Sequence, residues 1–231
     1  MDLYQTIFKR RSVRSFDFSA LDNKTLKNLH NYLETIEQLV EFRASFKIAT
    51  GEQIGNNKAP YFILVFAENT TAALINVGYF LAKADLYLQS LDLGSLFLGM
   101  AKPKGDSLDC FSIMMAFGKT RVPYRKDEKD FKRLLVEKIS NQSNDIARAA
   151  RLAPSAVNSE PWQLVFGDKS VSINYFGRGI LKQLLKRKMS KIDIGIMTRY
   201  VEIALLHEGR NVLALTLNDD EDHFGVRISY E

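Results

Sequence analysis

The chain has 231 residues, 46% of them hydrophobic and 26% charged, which suits one large or two small folded domains with a sizeable core and excludes a disordered chain. Its longest apolar run, PYFILVFA, is far too short to span a bilayer, MDLYQTIFKRR has no apolar signal segment, and a single cysteine, Cys110, rules out an internal disulfide, so a cytoplasmic protein is expected. The net charge of +5 leaves nucleic acid open as a partner, but no aromatic-interleaved binding module accompanies it. In chain order, Leu26, Leu29, Leu33 and Ile36 share one stripe and predict an amphipathic helix over about 22–38, with His30 at its rim. FRASFKIA alternates Phe42, Ala44, Phe46 and Ile48 with other residues, the pattern of a half-buried strand. TGEQIGNNKAP reads as a loop and YFILVFA as a strand buried on both faces. A long helix is expected over about 75–91, then a glycine turn in DLGSLFLGM and a buried strand in SIMMAFG.

The second half opens on the amphipathic EKDFKRLLVEKI, where Phe131, Leu134 and Leu135 would share a helix face, and a further helix in NDIARAARLA. WQLVFGDKSVSINYF predicts a strand pair turning at Gly167-Asp168. KQLLKRKMSK (182–191) reads as a solvated helix face, a helix follows over 192–207, and NVLALTL and FGVRISY close the chain as strands. The halves rhyme. INVGYFLAKADLYLQSLDLG and IDIGIMTRYVEIALLHEG each carry a glycine near the helix start and another just past its end, each between buried strands, which points to an internal duplication.

Several familiar motifs fail. FGKT lacks the first glycine of a phosphate-binding loop, where Ile113 stands, and GRGILK has Lys182 at the third glycine position of a dinucleotide turn. His30, His207, His223 and Cys110 have no metal-ligand spacing, and no G-x-S-x-G elbow makes Ser155 a nucleophile. Two turns remain. KRRSVRSF gathers Arg10, Arg11 and Arg14 around Ser12, a cradle suited to a phosphate because guanidinium forks match its oxygens. RLAPSAVNSEPW is too long and too polar for a plain turn and occurs once.

Together these two segments resemble the FMN-dependent nitroreductase family, with its R-R-S-x-R-x-F start and A-P-S-x-x-N-x-Q-P-W segment. Here they stand as Arg10-Arg11-Ser12-Val13-Arg14-Ser15-Phe16 and Ala153-Pro154-Ser155-Ala156-Val157-Asn158-Ser159-Glu160-Pro161-Trp162. LDLGSLFLG is similar to the family's helix-end turn and AFGKTRVPYRK to its C-terminal strand and basic tail. The A-P-S segment lies in the second half, an order that resembles the single-chain putative TM nitroreductase branch. The resemblance implies an α+β fold with mainly antiparallel central sheets flanked by helices. It also implies two pseudo-symmetric halves, 1–126 and 127–231, packed as an intramolecular pseudo-dimer in a monomer.

It further implies an FMN phosphate held by Arg10, Ser12 and Arg14 with Arg11 nearby, joined by Arg121 or Arg125. Pro154, Ser155, Ala156 and Asn158 would line the ring and ribityl chain. The turn at Leu96, Phe97, Leu98, Gly99 and Met100 would cover one flavin face. No side chain is expected to act as catalytic acid or base, and no metal is expected. The second half has no arginine-rich start and the first no A-P-S segment; RVPYRK and GEQIGNNKAPY do not match, so one FMN per chain is expected. The implied activity is ping-pong reduction of nitroaromatic, quinone or related small acceptors by NADH or NADPH, with neither nucleic acid nor membrane as partner. Two departures, Glu160 for the family's Gln and Met100 after Gly99, leave a flavin-binding protein without turnover as the alternative.

Overall fold

A computed structural model describes residues 2–40, 44–104, 109–177 and 187–231. The first half runs α1 (Leu3–Ile7), α2 (Asn23–Glu34), β1 (Ser45–Thr50), β2 (Tyr61–Phe66), α3 (Thr71–Ser90), β3 (Gly94–Leu98) and β4 (Phe111–Gly118). The second runs α4 (Val136–Ile139), α5 (Asp145–Ala150), β5 (Trp162–Phe166), β6 (Ser170–Tyr175), α6 (Arg187–His207), β7 (Val212–Asn218) and β8 (Gly225–Tyr230). Each half holds one four-stranded antiparallel sheet, in the orders β1-β2-β4-β3 and β5-β6-β8-β7. The same ββαββ unit, with the same strand order, therefore occurs twice.

The long helices α3 and α6 pack against each other and against their own sheets. Their crossing explains the two glycines in INVG and IDIG. A Cβ on Gly78 would lie 1.9 Å from the Ile192 carbonyl oxygen, and one on Gly195 would lie 1.8 Å from that of Ile75. The contact is reciprocal: Ile75 and Gly78 correspond to Ile192 and Gly195. The helix ends match as well. Leu93 and Asp92 donate to the carbonyls of Leu88 and Gln89, and Arg210 and Gly209 to those of Leu205 and Leu206, the same paired closure. The left-handed residue in that closure is Gly209 (φ 73) in α6 but Asp92 (φ 60) in α3. Gly94, the glycine expected to end the first helix, instead opens β3.

The core lies around this helix pair. α3 is buried on nearly all sides, and it starts one turn earlier than predicted. β2 is covered on both faces: Ile63 and Val65 join the main core, while Phe62 and Leu64 pack with Met114 and Ala116 on the other face. Three expectations change. DLGSLFLGM is mostly strand, because its apolar run Leu96–Leu98 pairs with β4. EKDFKRLLVEKI is not one helix; a single turn at Glu128–Asp130 gives way to extended chain and the short α4, and Leu135 is exposed. Phe42 and the first half of KQLLKRKMSK lie outside the described residues, and Lys191, at the end of that run, is buried rather than solvated. His30 is exposed, tilted on the Phe46 ring at 5.4 Å, as a rim position requires.

Candidate functional site

One cleft collects the two singled-out segments. Ser12, Arg14, Leu96, Phe97, Gly99 and Ile113 form the side contributed by the first half. Pro154 to Val157, with Met189, Ile192, Asp193 and Ile196 of α6, form the side contributed by the second.

The arginine segment is held on β3 by one isolated bridge: Ser12 pairs with Ser95 in parallel, and the Val13 amide donates to the Ser95 carbonyl at 2.9 Å. Strand alternation buries Val13 and turns its neighbours Ser12 and Arg14 to the cleft. A buried polar cluster on α3 fixes the segment from behind. Arg10 is 1% exposed and its Nε lies 2.9 Å from an oxygen of Asp85, which is 0% exposed; this is a charge contact without an aligned hydrogen bond. Ser95 Oγ and Gln89 Nε2 donate to the other oxygen of Asp85, and Gln89 Oε1 accepts the Arg11 amide at 2.8 Å.

This anchoring removes several predicted residues from the cleft. Arg10 is committed to Asp85, and Arg11 donates from its side chain to the Pro123 carbonyl. Arg125 donates to the carbonyls of Arg10 and Asp130 and lies over the Phe131 ring at 4.2 Å. Burial, then the charges of Arg10, Arg133 and Arg11, bring its pKa down to about 10. Arg121 is exposed near Asp17, Met100 is 95% exposed, and Leu98 packs on the far face of the first sheet. Among the expected phosphate donors, Ser12 and Arg14 are therefore the two that line the cleft.

The opposite wall is backbone held in an unusual shape. Val157 (φ 50), Asn158 (φ 56) and Glu160 (φ 46) are all left-handed, and for β-branched Val157 that conformation is an outlier costing about 1–3 kcal/mol. Surrounding bonds hold it there. Ser155 Oγ accepts the Glu160 amide at 3.0 Å, and both oxygens of buried Asp193 accept the Ala156 amide at 3.0 and 3.2 Å. Asn158 turns away from the cleft: it accepts from Arg133 and donates to the Lys132 carbonyl. Glu160 also points away. It is buried and accepts the Leu134 amide at 3.1 Å, so the departure from Gln falls behind the wall.

The α6 face, Met189, Ile192, Asp193 and Ile196, was missed from sequence. Its spacing is that of one helix face, but nothing in the sequence says which partner that face meets. A related surprise lies across the helix crossing. Asn76 corresponds to Asp193, and it accepts the Leu39 amide at 2.8 Å as Asp193 accepts that of Ala156. The first-half counterpart of the A-P-S segment is thus 38–40, whereas GEQIGNNKAP joins β1 to β2. On that side aromatic and charged side chains meet. Arg199 lies over the Tyr79 ring at 3.5 Å, pairs with Glu202 at 2.7 Å and donates to the Glu37 carbonyl at 2.9 Å.

The donor set suits a flat group bearing a phosphate. Arg14 is exposed and makes no side-chain hydrogen bond to a described residue, while Leu96, Phe97, Ile113, Ile192 and Ile196 supply apolar walls. The space between them, about 140 Å³, is narrow. Met189 limits it, its sulfur lying 2.4 Å from where a Cβ on Gly99 would be; an unbranched thioether chain reorients readily. No group of His, Cys, Asp and Glu among the described residues could hold a metal ion, and no described helix is long and apolar enough to cross a membrane.

Two antiparallel sheets flanked by helices, with a cleft between an arginine segment and an A-P-S wall, define a nitroreductase-like α+β protein. The chain belongs to the family described as "Putative TM nitroreductase", whose model matches residues 2–205. A crystal structure of a "putative nitroreductase" from Thermotoga maritima is 16% identical, with a TM-score of 0.75 over 99% of this chain and 94% of that one; at this identity the likeness shows the fold. Nitroreductase A from Vibrio parahaemolyticus aligns at 17% identity and a TM-score of 0.46, covering 63% of this chain and 77% of that one. An FMN-dependent nitroreductase from Clostridium difficile aligns at 14% identity and 0.47, covering 62% and 99%. No curated protein matches.

Proposed function

We propose that the protein is an FMN-dependent oxidoreductase that uses NADH or NADPH to reduce nitroaromatic, quinone or related small acceptors. The observation that carries this reading is the meeting of Ser12 and Arg14 with Pro154 to Val157 across one apolar cleft, within a member of a nitroreductase family. Bound FMN would supply the redox chemistry, taking a hydride from the reduced nicotinamide and passing it to the acceptor. Arg14 and Ser12 would bind the phosphate. Phe97 and Gly99 on one side and Pro154 to Val157 on the other would exclude water from the ring, and Asp193 would hold that wall through the Ala156 amide. Donor and acceptor would use the cleft in turn, so ping-pong kinetics are expected.

Halves 1–126 and 127–231 would act as an intramolecular pseudo-dimer, each giving one wall. One FMN per chain is expected, because Arg199 and Tyr79 occupy the corresponding side. Flavin quantitation and spectra of the purified protein test the reading. Yellow protein with one FMN per chain should bleach anaerobically with a reduced nicotinamide nucleotide and recover with a quinone. Colourless protein, or flavin inert to both nucleotides, overturns it, the latter leaving a flavin-binding role. Arg14→Ala should raise the Kd for FMN by about 10–100-fold, as loss of charge-assisted phosphate bonds worth ~1.5–3 kcal/mol requires. Unchanged flavin occupancy would remove Arg14 from the phosphate site.

A further inference from the structure

Beside the cleft stands an ammonium with no counter-charge among the described residues. Lys188 stands next to Met189, which lines the cleft, and its half-buried side chain donates to the Phe111 carbonyl at 3.3 Å. The chain leaving β3 packs Gly99 on Met189, and three residues further on stands exposed Lys102, whose charge acts on Lys188. Burial first, and the like charge of Lys102 second, hold the Lys188 ammonium below the ordinary lysine pKa. Among the described residues no carboxylate pairs with it.

Two comparisons sharpen this. Lys191, one turn further along α6, is more buried but closed by Glu221 at 2.8 Å. Asp193, the carboxylate that lines the cleft among the described residues, turns both oxygens to the Ala156 amide. A partly desolvated cation near a second cation, with no carboxylate of the described residues paired to the first, favours binding of an anion from solution. An ammonium serves a phosphate well as a point charge.

We propose that Lys188, with Lys102 beside it, forms a phosphate subsite at the cleft rim that takes the phosphates of the reduced nicotinamide dinucleotide. The proposal rests on the flavin-reductase reading. It also accounts for nucleotide use by a chain without a dinucleotide-binding motif: the nicotinamide end would need only the apolar cleft, and the phosphates only this corner.

The test compares donors with and without phosphate. In anaerobic stopped-flow reduction of the holoprotein, Lys188→Ala should raise the half-saturating concentration of NADH and NADPH about tenfold, as loss of one charge-assisted phosphate contact requires. The phosphate-free donor 1-benzyl-1,4-dihydronicotinamide should be unaffected, limiting rates should not change, and Lys188→Arg should restore most of the loss. Calorimetric titration of the oxidised holoprotein with ADP-ribose, which needs no turnover, should show the same tenfold weakening. Equal weakening for all donors, no weakening for any, or an effect confined to an anionic acceptor overturns the subsite. Flavin that no dihydronicotinamide reduces defeats the reductase reading, while the ADP-ribose titration still decides whether Lys188 binds phosphate.

Discussion

Asp85→Ala should destabilise the protein by about 3–5 kcal/mol, the loss that follows when one partner of a buried ion pair is removed. Arg10 is 1% exposed, so its charge cannot recover water when Asp85 goes. Ser95 and Gln89 lose an acceptor in the same step. In a domain of this size such a loss lowers the Tm by roughly 10 °C, measurable by calorimetry or urea titration. The double variant Arg10→Met with Asp85→Ala separates cause from consequence. It removes both charges and leaves an apolar chain of similar length, so it should regain more than half of the stability. A double variant no more stable than Asp85→Ala alone would show that the uncompensated charge is not the reason.

The same pair explains why the arginine cluster was only partly legible as a site. A run such as KRRSVR announces positive charge, and positive charge suggests phosphate. Sequence does not reveal that α3 carries a buried Asp85 aimed at the first of those arginines, or that the Arg125 side chain closes on the Arg10 carbonyl. Burial settles which guanidiniums serve the fold and which remain for a ligand, and burial here depends on contacts between residues far apart in the chain. The A-P-S segment was more legible because its residues hold its shape locally: Ser155 Oγ binds the Glu160 amide five residues on. Asn158, expected at the ring, instead ties that shape to Lys132 and Arg133.

Fold elements followed the same rule. Period-two and continuous apolar runs located most strands, including β5 and β6 around Gly167-Asp168. β3 was read as a turn because its glycine and its five residues look like helix-end punctuation, and only pairing with β4 makes them a strand. EKDFKRLLVEKI failed for the converse reason. Its helical spacing is real, but the chain there spends its hydrogen bonds on Glu160 and on the turn at Glu128–Asp130. The repeat of INVG and IDIG was visible as a rhyme; that its glycines face each other was not.

Gly195→Ala should cost about 3 kcal/mol, at the upper end of what overpacking costs, although alanine favours an isolated helix by ~1 kcal/mol. The added methyl would sit 1.8 Å from the Ile75 carbonyl oxygen and 2.7 Å from the Tyr79 nitrogen, both backbone atoms inside α3. No rotamer relieves that contact, so the helices must separate. Gly78→Ala meets the Ile192 carbonyl in the same way and should cost a similar amount. Since either methyl forces the same separation, the double variant should lose at least about 1 kcal/mol less than the two single losses together. Flavin binding should weaken along with stability, because Ile192, Asp193 and Ile196 reach the cleft from the turns flanking Gly195. Urea titrations of the three variants measure the coupling. A Gly195→Ala protein more stable than the parent would mean that α3 and α6 do not meet at these glycines, and the shared crossing that sets the width of the cleft would be lost with it.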